Sequence, residues 1–219
     1  MVVSQSSAEK RTSPRQSLSA DQWAEAALDA MADGGLEAVA VEPLAKALGI
    51  TKGSFYWHFK NRDALIRAAL DLWEKRETVD IVARAEQEAT PRERMHTLFR
   101  TVANTDMRSE RLLMMLATTD HPAARGCAKR VSEHWRKYVH DCYLALGMSD
   151  AESKMWATFA YSTFMGTVRM RRDNPDALPA GPEFTQYLRF LIKSLIPRLE
   201  RGESGEAHSS VVPLRRGTK

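Results

Sequence analysis

The chain has 219 residues, 43% hydrophobic and 27% charged, with a formal net charge of +4. That length suits one domain or two small ones, either able to bury a core, and the composition excludes a chain disordered throughout. No apolar run approaches the ~20 residues of a membrane span, and the opening M-V-V-S-Q-S-S-A-E-K-R-T-S-P-R has no apolar segment like a signal peptide's, so a cytoplasmic location without a membrane partner is expected.

Residues 1–17 are polar and aperiodic and read as a disordered arm; residues 201–219, with Gly202, Gly205 and Gly217, read the same way. Between them apolar residues recur at helical spacing and no stretch alternates like a strand. Ser19 with Gln22 makes a capping box for a first helix that buries Trp23, Ala27, Ala30 and Met31 and stops at Gly34-Gly35. A short helix over 41–48 ends at Gly49, and Thr51 can cap another over 52–59. Asn61 caps a longer helix from Arg62 through Leu65, Ala69, Leu72 and Trp73 into the late eighties. Thr90-Pro91-Arg92-Glu93 opens a helix with Met95, Leu98, Phe99 and Val102 on one face. A short apolar helix follows at R-L-L-M-M-L, then a long one over 121–146. Ser149 and Glu152 box the next, the loop D-N-P-D-A-L-P-A-G-P ends it, and the last helix spans 183–199 unless Pro197 stops it. The fold class is all-α. A small unit at 18–66 precedes a larger helical unit at 67–200.

Residues 40–59 carry the strongest signal. Two short helices meet at Gly49, which suits positive φ, and Ala45 is small enough for the second helix to cross closely. Leu44, Leu48, Ile50 and Phe55 fall where the two helices share a core, which is a helix-turn-helix arrangement. Charge is segregated along the chain. Residues 20–42 hold Asp21, Glu25, Asp29, Asp33, Glu37 and Glu42 without a base, whereas 46–67 hold Lys46, Lys52, Lys60, Arg62 and Arg67 against Asp63. A phosphate-facing surface needs such a basic segment.

The run F-Y-W-H-F at 55–59 then divides. Phe55 and Phe59 are i,i+4 and face the core, while Tyr56, Trp57 and His58 point elsewhere, available to phosphates, sugars or thymine methyls. Lys52, Gly53 and Ser54 occupy the first turn of the second helix, the part that meets base edges in a major groove.

From Ala20 to about Trp73 the sequence resembles the DNA-binding domain of the tetracycline-repressor (TetR) family: a helix, G-x-x-x-x-V, then L-A-x-x-L-G-I-T-K-G-S-F-Y-W-H-F and K-N-R-x-A-L. The resemblance covers about a quarter of the chain. It implies a homodimeric transcriptional regulator, usually a repressor, binding a near-palindromic double-stranded DNA operator. The DNA contacts it implies fall on Lys52, Gly53, Ser54, Tyr56, Trp57, His58, Lys60 and Arg62. It also implies a helical effector-binding and dimerisation unit, paired with a second copy through the last two long helices. One position departs from the family pattern. Ala40 stands where a threonine usually caps the first motif helix and touches phosphate, and alanine can do neither.

Phe99, Met107, Met114, Met115, Trp135, Tyr138, Cys142, Trp156, Phe159 and Phe164 are candidates to line a pocket for a largely apolar effector, with simple core packing as the plainer reading of each. Cys127 and Cys142 lie ~22 Å apart along one helix, too far for a disulfide. His134 and His140 face different sides of that helix, so neither a metal nor a cofactor is expected. H-D-C at 140–142 makes no catalytic set, because consecutive helix residues diverge. Three functions stay open: a ligand-released repressor, a constitutive DNA-binding regulator, and a helical enzyme, the last unsupported by any catalytic constellation.

Overall fold

A computed structural model describes residues 19–104 and 106–197. The two terminal arms and the end of the last expected helix lie outside the described residues. The elements are α1 (Ala20–Gly34), α2 (Val41–Ala47), α3 (Lys52–His58), α4 (Arg62–Glu74), α5 (Asp80–Ala85), α6 (Pro91–Ala103), α7 (Met107–Thr118), α8 (Pro122–Ala145), α9 (Asp150–Asp173) and α10 (Gly181–Leu195), with no strand among the described residues.

Local chemistry sets most helix starts. Ser19, Thr90 and Ser149 each form a reciprocal capping box, with Gln22, Glu93 and Glu152 respectively. Asn61 accepts from the Ala64 N–H and opens α4. Thr51 holds the N-cap position of α3, but its hydroxyl makes no cap bond, contrary to the expected role. Ala40 likewise opens α2 without a side-chain bond. Gly35 and Gly49 take φ of 72° and 68°, conformations that strain any residue with a Cβ. At the far end, Ile196 leaves helical geometry at φ −118° and ψ 79°, so α10 stops at Leu195 instead of running to 199. A residue before proline is pushed out of the α region.

The helix expected to run unbroken from Arg62 contains a π turn at Lys75–Val79, joining α4 to α5. The Asp80 N–H reaches back to the Lys75 carbonyl, five residues away. Thr78 is buried, and its hydroxyl donates to the Glu74 carbonyl. Turns of this kind take one extra residue into a helix, so the side chains beyond fall about 100° back from where an unbroken helix of the same sequence would put them.

Two buried clusters form the core. The first joins Trp23, Leu28 and Met31 of α1 to Leu44, Phe55, Phe59, Leu65 and Ile66, and continues into Leu112 and Leu116 of α7 and Cys127 and Val131 of α8. The second gathers Ile81, Met95, Leu98, Val139, Tyr143, Ala157, Ala160 and Leu195. Trp135 packs against both. Tyr143 is wholly buried, and its hydroxyl donates to the Leu195 carbonyl at 2.5 Å, tying α8 to the end of α10.

Ion pairs strap α1 to the larger helices. Glu25 accepts from Arg76 at 2.5 Å and from Arg108 at 2.8 Å; Arg108 also lies 2.9 Å from Asp29, and Arg111 lies 3.4 Å from Asp33. The acid-only stretch of α1 thus faces arginines brought in by the π turn and α7.

Candidate functional site

The ring cluster splits as its spacing predicts. Phe55 is 1% exposed and meets Trp23 edge-on at 5.4 Å, with Phe59 5.6 Å away on the same buried side. Tyr56 is 60% and Trp57 88% exposed. His58 and Lys60 are exposed beside them, and Ser54 is half-buried, its N–H bonded to the Thr51 carbonyl. A Cβ added at Gly53 would meet only the Thr51 hydroxyl at 3.7 Å, an ordinary contact. Nothing inside the chain therefore requires glycine there, although glycine in a helix costs about 1 kcal/mol relative to alanine.

Two of the eight expected DNA contacts are occupied within the chain. Lys52 Nζ lies 2.6 Å from Glu42 Oε1, a partner that sequence spacing does not reveal. The hydrogen bond and charge of Glu42 raise the Lys52 pKa, and Lys52 lowers that of Glu42. Arg62 departs further from expectation. Its Nε donates to the Val39 carbonyl at 2.7 Å and its Nη2 to the Leu36 carbonyl at 2.5 Å, with Glu37 3.7 Å away. The guanidinium fork holds the start of α4 against the chain entering α2, so Arg62 braces the module from within.

The Lys52–Glu42 pair gives a direct test. Glu42→Gln should bind DNA several-fold more tightly at moderate salt, because Lys52 would no longer exchange a carboxylate for a phosphate. Fluorescence anisotropy on a labelled duplex measures this, and equal affinities would place Lys52 away from the backbone.

A cavity of about 60 Å³ lies among α4, α5, α6, α7, α8, α9 and the π turn, lined by Trp73, Glu77, Ile81, Phe99, Val102, Ser109, Leu113, Val131, Trp135, Val139, Ala160, Tyr161, Phe164 and Met165. That volume is a few water-sized positions. A second space, about 50 Å³, shares Phe99, Val102, Ala160 and Phe164 with it and extends to α10 past Arg171 and Glu110.

Of the ten expected pocket residues, Phe99, Trp135 and Phe164 line this cavity. Met114 and Cys142 are buried elsewhere in the core, and Met115, Tyr138 and Trp156 are half-buried outside the lining. Phe159 is 54% exposed on the outer side of α9 and Met107 is 71% exposed, so neither faces the cavity. Trp73, Glu77, Ser109 and Leu113 were missed. Burial pushes the thiols of Cys127 and Cys142 up to about 12 and about 11, which leaves both inert near neutral pH.

Comparison with known proteins fits this geometry. Residues 24–69 match the family model described as bacterial regulatory proteins, tetR family. The HTH-type transcriptional regulator TtgR of Pseudomonas putida is 32% identical over 160 residues, spanning 64% of this chain and 74% of that protein. This chain belongs to the tetR family. It is a DNA-binding transcriptional regulator with a helix-turn-helix. Two solved structures share the TetR fold at low identity. A TetR transcriptional regulator from Legionella pneumophila superposes with a TM-score of 0.68 at 17% identity, covering 82% of this chain and 98% of that one. The regulator FadR from Bacillus subtilis, solved in complex with stearoyl-CoA, superposes with a TM-score of 0.61 at 16% identity, covering 83% and 100%. No described helix of this chain is long and apolar enough to cross a membrane.

Proposed function

We propose that this TetR-family chain is a homodimeric repressor that a small, largely apolar ligand releases from a near-palindromic operator. The observation that carries the reading is one helical rod with a different task at each end. At its start, Arg62 braces the helix-turn-helix; at its far end Trp73 and, beyond α4, Glu77 and Ile81 line the cavity. A ligand that fits the cavity better in one position of this rod than in another shifts the recognition helix by that difference in affinity. FadR, solved with stearoyl-CoA, is a precedent for a ligand with a long apolar chain in a TetR-type helical fold.

In this reading residues 18–66 read DNA and 67–200 bind ligand and partner. Lys52, Gly53, Ser54, Tyr56, Trp57, His58 and Lys60 face the groove, with Gly53 letting backbone and DNA approach closely. Met155, Phe159 and Met170 on α9 and Phe190 on α10 are large exposed apolar side chains, and they support pairing with a second copy through these helices. Phe159 then belongs to that interface.

The test is a gel shift on the DNA upstream of its own and adjacent genes, with mass measurement in parallel. Lys52→Ala and Tyr56→Ala should each weaken operator binding about tenfold, roughly 1.4 kcal/mol, and remain dimers. Absence of sequence-selective binding by a dimer at moderate salt sinks the proposal.

A further inference from the structure

The ligand class of the cavity follows from what its wall leaves unmatched, given that the cavity is the site of ligand control. The lining is almost wholly apolar, yet it contains a carboxyl group. Glu77 sits in the π turn, and its Oε1 accepts from the Ser109 hydroxyl at 2.8 Å. The charges of Arg84 and Arg108 reach it only through space, and Arg108 is already engaged by Glu25 and Asp29. Trp73, 4% exposed and four residues before Glu77, lines the same cavity, and its indole N–H has no acceptor among the described residues. A carboxylate drawn into an apolar wall with one neutral donor, beside an unpaired buried N–H, is a costly arrangement for a site meant only to pack. Phe99, Trp135 and Phe164 add aromatic faces, which attract a cation.

We propose that this cavity, together with the adjoining space that shares Phe99 and Phe164 with it, selects a small hydrophobic amine, its protonated nitrogen paired with Glu77 and its apolar body packed on Trp73, Trp135 and Phe99. Burial pushes the Glu77 pKa above its ordinary value, so a bound cation supplies the counter-charge that the wall lacks. The anionic form of a ligand of the same shape meets the carboxylate and is rejected.

Calorimetry on the full chain with three isosteric probes tests this: 2-phenylethylamine, 2-phenylethanol and phenylacetate. The amine should bind at least tenfold more tightly than the alcohol, and phenylacetate should not bind. Glu77→Gln should erase the preference for the amine and leave the alcohol unchanged. Its melting temperature should not fall, because a carboxyl whose folded pKa is raised contributes stability at low pH and loses it as the group ionises. Equal binding of amine and alcohol, preference for phenylacetate, or binding of none of the three overturns the proposal. Anisotropy on operator DNA separates it from ligand control. An alcohol that releases DNA as well as the amine does would leave ligand control standing and the amine class refuted. An amine that binds through Glu77 without releasing DNA would do the reverse.

Discussion

Phe55→Ala should melt the helix-turn-helix, at a cost of about 3–5 kcal/mol in unfolding free energy. Phe55 is 1% exposed and lies at the meeting of three rings, Trp23 edge-on from α1, Phe59 one turn later and Tyr56 beside it. Removing the ring opens a cavity between α1 and α3 that neither helix can close, because Trp23 is itself wholly buried in the same cluster as residues of α4 and α7. The informative partner is Trp57→Ala. That indole is 88% exposed, so its loss should move stability by no more than about 0.5 kcal/mol. Operator affinity should nevertheless fall about tenfold, some 1.4 kcal/mol. Urea unfolding and anisotropy on both variants measure the contrast. A Trp57 variant that unfolds early would show that its ring is packed and not presented to DNA.

Arg62→Ala should lower stability by about 2–3 kcal/mol before any DNA is added. The guanidinium is the donor to the Val39 carbonyl and shares the Leu36 carbonyl with the Val39 N–H, so in the variant one carbonyl loses its donor and the other keeps a single backbone bond. Arg62→Lys should recover little, since an ammonium lacks the planar fork. Thermal unfolding of the DNA-free protein decides between the two roles of this residue. A phosphate ligand alone would leave the melting curve unchanged and reduce the dependence of log affinity on log salt by about 0.9.

Arg62 also shows where reading the sequence reaches its limit. An arginine in a basic segment looks like a phosphate ligand, and its acceptors within the chain lie 23 and 26 residues earlier, a proximity only folding creates. The acids of α1 are a similar case. Their separation from the basic segment is visible in the sequence, but their partners Arg76, Arg108 and Arg111 become neighbours only when α4 and α7 pack on α1. Local signals, by contrast, were plain. Ser19, Thr90 and Ser149 announce their helices through bonds spanning three residues, and the i,i+4 spacing of Phe55 and Phe59 sorts buried rings from exposed ones.

The cavity was the least legible part. An aromatic on a long helix can turn to either side, and the rotation is decided by neighbours. Trp135 turned inward and Phe159, on the next helix, outward. Glu77 was invisible for the opposite reason, because a carboxylate in a helical run reads as solvent-facing. No periodicity announces the π turn that carries it inward.

The π turn makes chain length between the brace and the cavity a variable in its own right. Seen as a reading phase, Lys75–Val79 holds one residue more than a regular helix needs. Losing any single residue there lets the Asp80 N–H meet the Lys75 carbonyl as an ordinary helical bond and leaves the residues beyond it facing as they do now. The same loss earlier in α4 would misplace the core residues Leu65, Ile66 and Ala69. A lineage of such regulators therefore has one place where a single-codon deletion leaves α4 and α5 both in register and changes only the side chains of the turn, Glu77 of the cavity wall among them.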